Sequence, residues 1–230
     1  MLRLMQLEMR KTRVWRSALV VIMIQVLLAL QMLVAFLTAP VLEFPISQPD
    51  LLFVVMLSIS KLVVMIYGAV LLNWVVLREY TEGTIGQLFL YPSGRRAVLS
   101  AKLLLIGVTV GVTMILGMAL AGYAVLALDA VITFLPSRVS PSQISKYAVQ
   151  MLFHVVTTVL MSFIPLVVGL LRKSQGALLL SAIVLALVVN SNNDGYSLAT
   201  EPRVQAALAL CGLLVIGYTL GWVAQQDVTD

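Results

Sequence analysis

Apolar residues in this chain come in long, nearly uninterrupted runs, not in the alternating or every-third-and-fourth stripes of elements that face water on one side. A helix rising about 1.5 Å per residue needs about 20 such residues to cross roughly 30 Å of hydrocarbon. Spans are predicted over 17–39, 56–77, 103–128, 147–171, 177–194 and 204–223. Transmembrane strands would be about half as long. The pattern predicts an all-α integral membrane protein: one membrane domain over residues 1–230, six transmembrane helices, no internal repeat and no soluble segment that could house a nucleotide fold.

The polar punctuation gives the orientation. Six crossings put both termini on one side. That side would hold Arg3, Arg10, Lys11, Arg13 and Arg16 in the N-terminal tail, Arg78, Arg95, Arg96 and Lys102 in the second connection, and Arg172 and Lys173 in the fourth. The other side would hold only Arg138, Lys146 and Arg203. The positive-inside rule therefore places the termini and the 78–102 connection in the cytoplasm. The net charge of +5 follows from this topology and calls for no nucleic-acid partner. Leu2, Met5 and Met9 share a face among the basic residues of the tail, with Trp15 at headgroup height, so residues 1–16 predict an interfacial elbow helix. The alternative is a disordered basic tail held near anionic lipid. The first span is longer than a signal core and has no clear small-residue cleavage site, so it reads as retained.

Several spans carry irregularities. The run Leu51–Leu77 exceeds one crossing; counting back from Arg78 puts Lys61 near the outer edge, where its stem is expected to snorkel. Gly107 and Gly111 have the spacing that lets helices approach closely. Pro165 should bend the inner third of the fourth span. His154, the sole histidine, is expected to bond a neighbouring helix in preference to binding a ligand. The fifth apolar run meets Asn190, Asn192 and Asn193 early. Either these residues face protein, or the helix stops short and the chain re-enters between 190 and 203. The single Cys211 lies in the last run and packs as a small hydrophobe.

No catalytic constellation is evident. One histidine and no carboxylate well inside a span do not make a metalloprotease, a serine hydrolase or a proton relay. No phosphate-binding Gly-x-x-x-x-Gly-Lys loop is present. Energy for any work would come from elsewhere. Polar groups inside the spans are few and scattered: Gln25, Gln31, Asn73, Gln150 and His154.

The most polar passage is REYTEGTIGQLFLYPSGRR, residues 78–96. Glu79 and Glu82 suit the positive end of a helix. Ile85, Leu88 and Phe89 then make one apolar face on a segment too short to cross a membrane. Tyr91, Pro92, Ser93 and Gly94 force a turn, and Arg95 and Arg96 meet the headgroups. This is a short amphipathic helix parallel to the membrane. On physical grounds it is either a knob that a partner grips or a solvated loop resting on lipid.

Glu79, Gly83, Thr84, Ile85, Leu88, Pro92, Arg95, Arg96 and then Lys102 at the head of the next span resemble the first cytoplasmic loop of type-2 ATP-binding-cassette permeases, the six-helix membrane subunits of bacterial exporters. That loop reads approximately Glu, several residues, Gly-Thr-Leu, a few apolar residues, Pro, Arg-Arg and Lys. Here Ile85 stands for the usual Leu, and Gly94 precedes Arg95. The resemblance implies that the loop is a coupling helix, with Glu79, Glu82, Gly83, Thr84, Ile85, Leu88, Phe89, Pro92, Arg95 and Arg96 seated in a cleft of a separate cytoplasmic ATPase. ATP and Mg would be bound by that partner and no cofactor by this chain. Two permeases, either two copies of this chain or one copy with a related permease, would work with two ATPases in a bacterial plasma membrane. Substrate-path candidates are Gln25, Asn73 and His154. Without a dense charged lining, the expected cargo is amphipathic or hydrophobic, such as an antimicrobial peptide or a lipid, and small members of the family often serve resistance to such peptides. The competing class is a non-transporting scaffold or signalling partner that docks a cytoplasmic protein through the same loop; an intramembrane enzyme using His154 ranks third.

Overall fold

The computed structural model describes residues 14–38, 49–78, 95–132, 141–193, 196–197 and 201–225. The chain runs α1 (Val14–Thr38), α2 (Pro49–Leu72) continuing into a π-helical turn (Asn73–Leu77), α3 (Arg95–Ile132), α4 (Pro141–Met161), α5 (Pro165–Arg172), α6 (Gln175–Val189), a hairpin of β1 (Asn192–Asn193) and β2 (Tyr196–Ser197), and α7 (Pro202–Gln225). Among the described residues four stretches are long and apolar enough to cross a membrane: Phe53–Leu77, Ala97–Ala127, Gln143–Arg172 and Pro202–Gly221. Two apolar helical stretches are shorter, Arg16–Leu28 and Gln175–Val189. The elbow segment before Val14 and the coupling residues Glu79, Glu82, Gly83, Thr84, Ile85, Leu88, Phe89 and Pro92 lie outside the described residues, as do the side chains of Arg95 and Arg96.

Where the spans were expected, helices stand, with differences at their ends. The 38 residues of α3 begin at Arg95, so both arginines belong to its first turn and not to the connection before it. The fourth span breaks into α4 and α5 at Pro165, which has no N–H to donate. The chain tightens there instead, with Phe163 N–H donating to Leu160 O at 3.2 Å and Ile164 N–H to Met161 O at 3.0 Å. α5 ends on Lys173 in the left-handed region, φ 45°, and the Ser174 hydroxyl accepts from Ala177 N–H at 3.4 Å to start α6 at once. The fifth span, expected over 177–194, stops at Val189. Its 15 residues give about 22 Å of helix, less than the hydrocarbon thickness. A two-residue-paired hairpin follows, Asn192 opposite Ser197 and Asn193 opposite Tyr196.

Close backbone approach sets the register of the bundle. A Cβ on Gly68 would sit 2.8 Å from the Ser162 Cβ and 3.5 Å from Val110, which fixes α2 against α4 and α3 at one height. Gly107 and Gly111 face Val159, so the small-residue spacing in the third span is indeed a packing surface. Gly169 lies against Leu178 and closes the α5–α6 hairpin. Gly212 lies against the Leu160 carbonyl, bringing α7 onto α4. Leu57, Val64, Leu71, Leu72, Ile106, Val110, Met114 and Leu166 form the centre of the core, each almost wholly buried. We call the end where α2 finishes and α3 starts the loop end, and the opposite one the far end.

One sequence expectation is overturned. Lys61 does not snorkel: it is 1% exposed, buried within the bundle near His154. Its stem cannot reach an edge because α2 continues past it toward the far end, starting at Pro49, and the side chain is enclosed by packed helices.

Gly212→Ala is expected to force α7 away from the Leu160 carbonyl and cost about 1–3 kcal/mol. Thermal unfolding of the purified protein in a neutral detergent measures this. Gly217→Ala, where an added Cβ meets nothing within 4 Å, should not lower the midpoint.

Candidate functional site

Two polar layers interrupt the apolar bundle. The first lies at the loop end. The π-turn Asn73–Leu77 widens the last turn of the second span, with Arg78 N–H donating to Asn73 O. Such turns insert an extra residue and are frequent at functional positions. The carbonyls at a helix end have no partner in their own helix. Here the Lys102 ammonium, 4% exposed, donates to the Val75 carbonyl at 3.4 Å. A cation at a helix C-terminus is also favoured by the helix dipole. The bond joins the two helices between which the 79–94 segment runs, so the root of the expected coupling loop is closed by a buried charge-assisted hydrogen bond. Asn73, 8% exposed, leaves its buried Oδ1 without a hydrogen-bond partner.

The second layer lies about two turns toward the far end. Moving that way from the Gly68–Ser162–Val110 contact leads to Lys61 on α2, to His154 and Thr157 on α4, and to Gly117 on α3. Gln25 of α1 is pressed against Gly117, 2% exposed, and both its amide atoms lack a hydrogen-bond partner. Gln205 of α7 is fully buried. Its Oε1 accepts from His154 Nδ1 at 2.8 Å and from the Thr157 hydroxyl at 3.2 Å. An amide oxygen can only accept, so with Oε1 turned to the ring it is Nδ1 that donates. The Phe153 ring meets the His154 imidazole edge to face, centroids 5.6 Å apart. Thr158, 0% exposed, has a buried hydroxyl with no partner. Lys61 and His154 are near enough to interact electrostatically.

The shortened α6 ends beside this layer. Val189 packs with Met65, Met161 and Ala186, and Met65 is one turn from Lys61. The α6 helix therefore stops just below the polar layer, and non-helical backbone begins there. Asn190 donates from Nδ2 to the Ala186 carbonyl at 2.8 Å, while its Oδ1 is buried without a partner.

The three substrate-path candidates thus divide. Gln25 and His154 stand at one height in the far layer, and Asn73 stands apart at the loop end. Gln31 and Gln150 are exposed and belong to neither layer. The expected contact of His154 with a neighbouring helix is found. Reading the sequence for sites missed Gln205, Thr157 and Thr158; Gln205 sits three residues into its helix, where a glutamine reads as the rim of a span. Among the described residues no group of three His, Cys, Asp or Glu side chains could hold a metal ion.

A double-mutant cycle with His154→Phe and Gln205→Leu should return a coupling of about 0.6–1.7 kcal/mol in unfolding free energy, the range of interhelical hydrogen bonds in membrane bundles; strict additivity would mean that the bond contributes nothing. Comparison with known proteins adds one relative. No family model matches the chain, and no solved structure matches it. Over 181 residues, 79% of this chain and 79% of the relative, it is 27% identical to a protein of Bacillus subtilis (strain 168) described as "Uncharacterized protein YcbO".

Proposed function

We propose that this chain is the membrane permease subunit of an ATP-driven exporter, moving an amphipathic or hydrophobic cargo such as an antimicrobial peptide or a lipid. A separate cytoplasmic ATPase supplies the energy. Two permeases, identical or related, form the working pair in a bacterial plasma membrane, with both termini cytoplasmic and six crossings, the first made by α1 and the fifth by α6 together with the chain that follows it.

The observation that carries this reading is the closed root of the 79–94 segment. A docking loop transmits force only if its base moves as one with the helices it joins. The Lys102 bond to the Val75 carbonyl ties the end of the second span to the start of α3, and both helices are packed into the bundle core. A push on the segment would then reach both helices together, which is what alternating access driven from outside needs. A lysine at this position is also one of the residues that carry the resemblance to the exporter permeases.

Replacing Ile85, Leu88 and Phe89 together with Asp should abolish co-purification of the ATPase while leaving thermal unfolding of the permease unaltered. Undiminished complex formation would defeat the assignment. Lys102→Met separates docking from coupling: the complex should still assemble, but cargo-stimulated ATP hydrolysis in proteoliposomes should fall about tenfold, corresponding to the loss of one charge-assisted hydrogen bond. A scaffold using the same loop would give no cargo-stimulated hydrolysis in either form.

A further inference from the structure

At the loop end α3 begins beside the last turns of α7, and the two helices do not close on each other there. Ala97 and Ser100 of α3 and Leu220 and Gly221 of α7 line a groove of about 420 Å³, open at the surface of the bundle. The small side chains on both walls leave this space. A Cβ added to Gly221 would meet nothing within 4 Å, and the same holds at Gly217, one turn back along the same face of α7. At Gly68, Gly169 and Gly212 a neighbouring side chain or carbonyl takes up that space instead. The Ser100 hydroxyl donates to the Ala97 carbonyl at 3.0 Å, so its proton is engaged within its own helix and the groove is left apolar.

Charge at this end is of one sign. Arg16 lies in the first turn of α1, Arg78 follows the π-turn, Arg95 and Arg96 open α3, and Arg172 and Lys173 end α5. The acids among the described residues, Asp50, Asp129 and Glu201, fall at the far-end termini of α2, α3 and α7. Arg96 precedes Ser100 by four residues, on the same face of α3 and about 6 Å nearer its start. The groove therefore lies one turn inside a pair of arginines, at the end of α3 where the helix dipole is positive.

We infer that this groove holds an anionic phospholipid, its phosphodiester at the level of Arg95 and Arg96 and an acyl chain running inward past Ser100 and Gly221. Both walls belong to stretches long and apolar enough to cross a membrane, and Leu104 on α3 and Leu214 and Tyr218 on α7 are exposed beyond the groove. At that depth no water is available to fill a gap, and a lipid tail makes the dispersion contacts that an empty groove would forgo. The headgroup is selected by charge: a zwitterionic lipid brings an ammonium of its own toward the arginines, whereas a phosphodiester of net negative charge does not. Basic pockets between membrane helices bind anionic headgroups in this way. The lipid bears on the start of α3, the helix whose Lys102 is bonded to the Val75 carbonyl, and so steadies the root of the 79–94 segment. The site does not depend on the exporter reading; it needs only that α3 and α7 stand in a bilayer.

The test uses the full chain, stripped of lipid in a neutral detergent and mixed with dioleoyl phosphatidylglycerol or dioleoyl phosphatidylcholine. Bound lipid is counted by native mass spectrometry, and thermal unfolding is read on the same samples. One phosphatidylglycerol per chain should be retained and should raise the unfolding midpoint, at concentrations where phosphatidylcholine does neither. Arg95→Gln combined with Arg96→Gln should weaken retention about tenfold or more. Gly221→Leu, which fills the groove, should abolish retention while leaving the lipid-free midpoint unlowered; Ala97→Leu on the opposite wall serves if it does not fold. Equal retention of the two lipids, or undiminished retention by the arginine pair or by the filled groove, would overturn the site. A lipid-free dimer of the unaltered chain that Gly221→Leu dissociates would overturn it in favour of a second copy of this chain.

Discussion

Hydrogen bonding between helices in a medium that offers no other partner governs the arrangement of this bundle. In water the amide of Gln205 would be solvated anywhere on a helix surface. Between α4 and α7 it is fully buried, and its oxygen takes bonds from both His154 and Thr157. Those bonds are directional, so they fix the rotation of α7 about its own axis as well as its distance. The approach of Gly212 to the Leu160 carbonyl then sets its height. Apolar surface alone could do neither, because lipid tails are as apolar as Leu, and two greasy helices gain little by touching.

The same constraint explains why the bundle's irregularities sit beside polar side chains. The π-turn at Asn73–Leu77 opens the backbone, and Lys102 comes in to meet a carbonyl there. α6 ends at Val189, and the Asn190 side chain folds back onto the Ala186 carbonyl. Pro165 interrupts the fourth span, and tighter bonds to Leu160 and Met161 take over. Each departure from regular helix frees polar groups that must be answered locally. The helices between these points are long and regular because nothing in them demands otherwise.

The two polar layers differ in how they relate to motion. The loop-end layer is a tie between sequential helices across a connection, and it stiffens the place where an outside partner would push. The far layer joins α4 and α7, helices distant in sequence, and it contains groups, Gln25 and Thr158, whose bonding capacity the present packing leaves unused. The contacts of Gly68, Gly107, Gly111 and Gly212 lie between them, where shape, not chemistry, holds the helices together.

The apolar, helical character of the chain, the break at Pro165 and the packing role of Gly107 and Gly111 were legible from residue order, because each depends on a local property: an apolar stretch, a missing N–H, a missing Cβ; of the six crossings expected, four stretches among the described residues are long enough to cross, and the fifth run, expected to reach 194, ends at Val189. The loop that resembles a coupling helix was legible as a pattern, although residues 79–94 lie outside those the structure describes. What the sequence could not yield was the company each polar residue keeps. Lys61 read as an edge residue because position along one helix is all that a chain of letters offers; its enclosure is decided by how helices far apart in sequence pack. Gln205 and Thr158 carried no signal for the same reason, and only their placement beside His154 gives them a role. Local chemistry determined where this chain is helical and apolar, and three-dimensional packing alone decided which of its few polar groups meet.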